Sequence, residues 1–278
     1  MKIIGTNQGQ RGDLIMGTVV ARAIKTRFPN SHFILGINKL FSDMKDLFLH
    51  HPYIDDIHIW DAYDNWPNDI DKHFLMSNRF DLILHPMPQH PNNHCWFNLV
   101  KHQTEASCIM NGLTPPQDLS CYLNKYFDLY SEYQNYICIA PFTAWEKKNI
   151  SISKWESIVD YIKSLNFKVI QIGSDSEIVI KGCEKKYNIS YFESTKIMLS
   201  CKALICLDGG MSWVASAYQH PVVGLYGKHY DNLISSGLYE PINTNATYLT
   251  HDSAENIDNI LIFNTIKQKL EMLYAEKI

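Results

Sequence analysis

The chain lacks any Cys-x-x-Cys pair. Its seven cysteines (Cys95, Cys108, Cys121, Cys138, Cys183, Cys201 and Cys206) follow no regular spacing. An odd count without a framework reads as reduced thiols rather than a disulfide scaffold. No apolar run approaches the roughly 18 residues needed to cross a bilayer. The opening Met1-Lys2-Ile3-Ile4-Gly5 lacks an apolar stretch leading to a cleavage site, so no secretory signal is read and a cytosolic protein is expected. The sequons at Asn149, Asn188 and Asn245 are then chance matches. A surplus of positive charge is also missing. The net charge of −4 excludes nucleic acid as an expected partner, because phosphate neutralisation needs excess Lys and Arg. Repeats and low-complexity tracts are absent too.

What is present suits a folded protein. Hydrophobic residues make up 46% and charged residues 19% of the 278 positions, enough for one large domain or two of roughly 130–145 residues. A short apolar run, a turn and a helix-period segment recur, which is the pattern of βαβ units. In the first half the pattern predicts strands at Lys2–Thr6, His32–Ile37, Ile57–Trp60 and Asp81–Leu84, and helices at Leu14–Phe28 and Leu40–His50. Met16, Val20, Ala23 and Ile24 give the first helix one apolar face, and Pro29-Asn30 ends it. A polar, Tyr-rich stretch, Asn124 to Asn135, interrupts the series, and we divide the chain into domains 1–130 and 131–278 there. The series restarts with strands at Tyr136–Ala140, Phe167–Ile172, Ala203–Leu207 and Val222–Tyr226. Helices are expected at Lys154–Leu165, Thr195–Cys201 and Met211–Tyr218, with a closing helical segment at Ser253–Ala275. Two doubly wound units in succession predict a crevice where strand C-termini and helix N-termini converge.

Two segments of the second half carry chemistry. At Leu207-Asp208-Gly209-Gly210-Met211-Ser212-Trp213 a strand ends at an Asp, two glycines follow, and a helix begins. Glycines admit a ligand close to the backbone, and a helix N-terminus offers free N–H groups to an anion such as a diphosphate. The alternative is a plain strand–turn–helix corner with Asp208 as N-cap. Upstream, Thr143, Ala144 and Lys148 lie on a loop between a strand and the helix holding Trp155. A Thr and a Lys there can hold phosphate oxygens by hydrogen bond and by charge; the alternative is an exposed loop with solvated lysines.

Together these segments resemble glycosyltransferase family 9, which includes bacterial heptosyltransferases of lipopolysaccharide synthesis. Lys148 stands seven residues before Trp155, Thr143 five before Lys148, and Asp208-Gly209-Gly210 opens a motif similar to Asp-x-Gly-x-x-His. Gly12-Asp13 after a short strand, His51-Pro52-Tyr53-Ile54-Asp55 and Phe80-Asp81-Leu82-Ile83-Leu84 resemble further family segments in the family's order. Trp213 replaces the motif's His, and Ile150-Ser151 replaces a Trp-Pro. The donor's sugar and nucleoside stay open.

The resemblance implies a GT-B fold, with two Rossmann-like domains facing each other across a cleft. It implies that residues 1–130 bind a glycan or glycolipid acceptor, with Gly12 and the post-strand His85 lining its site, and that residues 131–278 bind a nucleotide-sugar donor. Asp13 is the implied general base, which takes the acceptor hydroxyl's proton, its alternative being a helix N-cap. Lys148 neutralises the departing diphosphate, with Thr143, Ala144, Asp208, Gly209, Gly210 and Trp213 around the donor. Glu177, chosen over Asp175, contacts the nucleoside. The expected reaction is an inverting, metal-independent hexosyl or heptosyl transfer with the nucleotide sugar as co-substrate and no cofactor, in the cytosol or peripherally at the cytoplasmic membrane. Two other classes stay open: a nucleotide-sugar-binding protein without catalysis, and an epimerase or hydrolase of the same architecture. His85, His90, His94 and Cys95 sit in a Pro-rich loop without zinc-site spacing, and Asp69-Ile70-Asp71 is too short a match to count as a metal motif.

Overall fold

The computed structural model describes residues 1–6, 10–60, 77–84, 101–123, 127–227 and 240–275. The chain divides into two compact units, Met1–Lys125 and Tyr126–Ile278. Among the described residues no helix is long and apolar enough to cross a membrane.

In the first unit, strands β1 (Lys2–Thr6), β2 (His32–Asn38), β3 (Asp56–Trp60) and β4 (Leu82–Leu84) form a parallel sheet in the order β3-β2-β1-β4. Helix α1 (Arg11–Arg27) links β1 to β2, and α2 (Gln103–Met110) follows β4. The expected single stripe understates α1: all residues from Leu14 to Ala21 are buried, as are Ala23 and Ile24. Thr18 survives there because its hydroxyl donates to Ile15 O at 2.7 Å and accepts from Tyr122 N at 3.1 Å, leaving no orphan polar atom. The segment expected as a helix at 40–50 is a 3₁₀ turn series, Lys39–Phe48, broken at Phe41. Asn38 opens it by accepting from Leu40 N at 2.9 Å.

The stretch after this turn is pinned by side chains. His51 is buried, with Nδ1 accepting from Tyr53 N at 3.2 Å and Nε2 facing Tyr122 O at 3.1 Å. Burial therefore lowers its pKa to about 4, against a smaller push upward from the Tyr122 carbonyl. Asp55 accepts from Lys25 Nζ at 2.5 Å and Phe33 N at 2.6 Å, tying the start of β3 to α1 and β2. Gly36 is required on β2, since a Cβ there would fall 1.8 Å from Trp60 Nε1.

The second unit holds β5 (Tyr136–Ala140), β6 (Lys168–Gln171), β7 (Glu184–Lys185), β8 (Leu204–Leu207), β9 (Val222–Gly227) and β10 (Ala246–His251). All pair in parallel, in the order β10-β9-β8-β5-β6-β7. Helices α3 (Ile152–Ser164), α4 (Tyr191–Ser200), α5 (Gly210–Ala217) and α6 (Asn259–Ala275) connect or follow the strands. Parallel strands buried on both faces read as continuous apolar runs, as in Ile137-Cys138-Ile139 and Leu204-Ile205-Cys206-Leu207.

Helix α3 starts where Ser151 Oγ accepts from Lys154 N at 3.3 Å, and it buries Trp155, Ile158, Val159 and Ile162. Trp155 is fully buried, and its Nε1 donates to Pro141 O at 3.1 Å. That bond fixes the start of the loop after β5, and truncating so large a side chain costs roughly 3–5 kcal/mol. Helix α6 joins the same core through Ile262, Ile266 and Leu270, and Phe263 stacks on Tyr161 with centroids 4.3 Å apart.

Candidate active site

The second sheet has one point where its strand order turns back. From β5 the chain builds outward through β6 and β7, then returns to place β8, β9 and β10 on the other side. The loops leaving β5 and β8 therefore lie side by side at the strands' carboxyl ends, the place where open α/β sheets bind ligands. Both chemistry-bearing segments of this unit leave from those two strands.

The structure joins them directly. Lys148 Nζ lies 2.5 Å from Asp208 Oδ2, with the two side chains 17% and 14% exposed. Asp208 is therefore not the N-cap; Gly209, which has no side chain to cap with, occupies that position. The carboxylate is turned to the lysine instead of to the first N–H groups of α5. The ammonium also stands 5.2 Å from the centroid of the Trp145 ring.

The loop carrying these groups is closed by Asn149. Its Oδ1 accepts from Thr143 N at 2.8 Å and lies 3.3 Å from Thr143 Oγ1, and its Nδ2 donates to Thr143 O at 3.4 Å. Thr143 Oγ1 also donates to Trp145 O at 3.0 Å, so the hydroxyl must turn before it can give its proton to a ligand. Ala144 lies exposed between them. The sequence reading missed Asn149; its signal was an amide one residue beyond Lys148, in a strand-to-helix loop where side chains close turns.

On the loop after β8, Gly209 has an extended backbone, φ −161° and ψ 179°. A Cβ on it would sit 3.5 Å from Thr143 Cγ2, in ordinary contact. The turn is braced from beneath: Ser212 Oγ donates to Gly209 O at 2.7 Å, and the buried Tyr226 hydroxyl donates to Ser212 Oγ at 2.9 Å. Burial raises the Tyr226 pKa well above its usual value, with Asp208's charge adding to it. Trp213 is 4% exposed, so its ring lies within the unit and offers little surface to the donor contact expected of it. Glu240, also unremarked in the sequence, has its carboxyl pushed up by burial, with a smaller contribution from Asp208.

At the end of β6 the two acidic candidates separate cleanly. Asp175 is committed, accepting from Asn188 N at 3.1 and 3.0 Å. Glu177 Oε2 is buried and has no hydrogen-bond partner among the described residues. Desolvation raises the Glu177 pKa, against smaller lowering by the Ser174 backbone and Lys185. Its carboxylate packs over Gly173, where a Cβ would fall 1.9 Å from Oε2 and where φ is +150°. Gln171, another residue the sequence did not single out, steadies this loop by donating to Ile178 O at 2.9 Å and accepting from Ile180 N at 2.8 Å.

The first unit carries the remaining candidates. Its strand order also turns back, between β1 and β4. Gly12 and Asp13 lie in the first turn of α1, which leaves β1 at this point. Asp13 is the third helical residue rather than the N-cap, a position held by Gln10, and its Oδ2 accepts from Gln10 N at 2.5 Å. His85 follows β4 directly but lies outside the described residues, as do Asp69, Asp71, His90, His94 and Cys95.

The sequence model of glycosyltransferase family 9 (heptosyltransferase) matches residues 114–259, over half of the chain. The chain belongs to glycosyltransferase family 9. It is thereby a glycosyltransferase of the heptosyltransferase type.

No curated protein sequence matches the chain. Among solved structures, a family 9 glycosyltransferase from Veillonella parvula is similar at TM-score 0.72 and 14% identity, over 98% of this chain and 97% of that one. E. coli ADP-heptose lipopolysaccharide heptosyltransferase II gives 0.73 and 15%, over 100% of each chain. E. coli heptosyltransferase WaaC, solved with ADP, gives 0.70 and 11%, over 97% of this chain and 100% of that one. Identities this low establish the GT-B fold and nothing finer.

Proposed function

We propose that this enzyme moves a sugar from a nucleoside-diphosphate sugar to a glycan or glycolipid acceptor, in one inverting displacement without a metal ion. The observation that carries the reading is the meeting of Lys148, Asp208 and the N-terminus of α5 at the switch point of the second sheet. A positive side chain beside the N-terminus of a helix suits a diphosphate.

In this reading Lys148 shares its charge with the diphosphate as the bond to the anomeric carbon breaks, and the Gly210 and Met211 amides receive phosphate oxygens. Preorganised donors that meet charge as it develops lower the barrier. The Thr143 hydroxyl adds a donor once it turns from Trp145 O. Glu177, with its orphaned Oε2, accepts from the hydroxyls of the donor's ribose. The acceptor binds the first unit, at Gly12 and His85. Its hydroxyl oxygen attacks the anomeric carbon from the face opposite the diphosphate, and Asp13 takes the proton. Glycolipid acceptors would bring the protein to the cytoplasmic face of a membrane.

Thermal shift with ADP, GDP, UDP and the corresponding nucleotide sugars tests the donor assignment. ADP comes first, because a structurally similar heptosyltransferase was solved with it. One nucleotide family should stabilise the protein, by about 2.7 kcal/mol at a hundred times its Kd. No shift with any of them would sink the reading.

A further inference from the structure

Trp145 is the only exposed tryptophan among the described residues, at 48%, whereas Trp60, Trp155 and Trp213 are 3%, 0% and 4% exposed. An isolated exposed indole on a surface loop would call for no explanation. This one stands beside the reacting groups. Its ring centroid is 5.2 Å from Lys148 Nζ, which in turn touches Asp208. Its loop is also held: its carbonyl accepts from Thr143 Oγ1 at 3.0 Å and from Lys148 N at 2.9 Å, and Asn149 ties both strands of the loop together through Thr143. The indole is thus a broad aromatic face on a braced backbone, with the ammonium to one side, on a residue that is 48% exposed.

We propose that Trp145 is a specificity-determining residue whose indole receives the ring of the transferred sugar. The proposal rests on the donor assignment above. A pyranose presents one face of C–H bonds that packs flat on an aromatic ring, and its hydroxyls point outward to polar neighbours. At this site those neighbours are Lys148 and Asp208. Lys148, the proposed phosphate-binding cation, adjoins the ring at 5.2 Å, so a sugar joined to the diphosphate falls within its reach. Glu177, the proposed nucleoside contact, instead leaves from β6, the next strand of the sheet. The indole would then read the sugar and not the base.

The test separates these parts of the donor. Calorimetric titration of wild type, Trp145→Ala and Trp145→Phe uses ADP, GDP and UDP, each paired with its glucose derivative. For the nucleotide that binds wild type, Trp145→Ala should weaken the sugar derivative roughly three- to tenfold, the usual worth of an aromatic contact. The free diphosphate should bind as before, and Trp145→Phe should recover most of the loss. Equal weakening of diphosphate and sugar derivative would make Trp145 a support for Lys148 or a base platform, and would overturn the proposal. Unchanged binding in the alanine variant would overturn it too. Failure of wild type to bind any nucleotide is a different result, and it would instead remove the donor assignment on which the proposal rests. Circular dichroism melts of each variant exclude a folding effect.

Discussion

Replacing Lys148 with Met separates the two jobs assigned to its ammonium. The Asp208 carboxylate is 14% exposed and loses its cation. Exposed ion pairs are worth about 0.2–1 kcal/mol, while breaking a fully buried pair costs about 3–5 kcal/mol, because a charge is left uncompensated. A pair at 17% and 14% exposure falls between, so Lys148→Met should cost about 1–3 kcal/mol of stability. Adding Asp208→Asn removes the stranded charge, and the double variant should regain most of that loss. Transfer behaves differently: losing one preorganised charge-stabilising group lowers turnover about 10²–10³-fold, and Asp208→Asn does nothing to restore it. Urea unfolding of the wild type, both single variants and the double variant gives the coupling energy, and single-turnover assays of the same proteins give the rates. The reasoning fails if Lys148→Met turns over like wild type, since the loop would then be only a connection. Recovery of the rate in the double variant would refute it equally.

Asp13→Asn should leave stability nearly unchanged, because its Oδ1 can still accept from Gln10 N as the carboxylate does, while transfer falls about 10²–10⁴-fold with donor affinity intact; wild-type transfer in this variant would reduce Asp13 to a helix-start residue. Glu177→Gln should raise stability slightly by removing a desolvated charge with an orphaned oxygen, yet weaken nucleotide binding about 10–100-fold, the worth of a hydrogen bond to a charged group; unchanged affinity by calorimetry would count against a nucleoside contact. Burial lowers the pKa values of His51 and His220 to about 4, so the unfolded chain binds more protons between roughly pH 6.5 and 4. Stability should therefore be full above pH 6.5 and fall through that window, by up to about 3 kcal/mol per histidine, and a urea midpoint equally high at pH 4.5 and pH 7 would contradict this.

The strands of the second sheet were the most legible part of the fold. Buried parallel strands such as Tyr136–Ala140 and Leu204–Leu207 are short unbroken apolar runs between turn residues, and little else in a sequence looks like that. β10 was not seen, because Ala246-Thr247-Tyr248-Leu249-Thr250-His251 lies at the sheet edge, only half-buried, and offers no clear period. Helix α2 was missed for a related reason: its buried residues include Gln103, Thr104 and Ser107, whose polarity hides the face they bury. In the site, Lys148 and Asp208 could each be named from their neighbours, but not their contact. Sixty residues separate them, and only the adjacency of β5 and β8 brings them together. Glu177 is read ahead of Asp175 in the sequence alone, but that Asp175 is bonded to Asn188 N while Glu177 Oε2 lacks a partner among the described residues is visible only in the structure. The readings of Asp208 and Asp13 as possible N-caps failed by one and three positions, because a sequence marks where a helix starts only loosely.

Transfer itself is tested most directly by a single-turnover reaction in EDTA, with excess enzyme, the stabilising nucleotide sugar and an extract of lipid-linked or lipopolysaccharide-core glycans. Mass spectrometry follows the sugar, and NMR reads the anomeric configuration of the product. The account predicts that nucleoside diphosphate appears only when acceptor is present, with one equivalent of sugar joined to the acceptor in the configuration opposite to that in the donor. Free sugar or an epimer formed without acceptor, a product that retains the donor's configuration, or a reaction that EDTA stops would each contradict it.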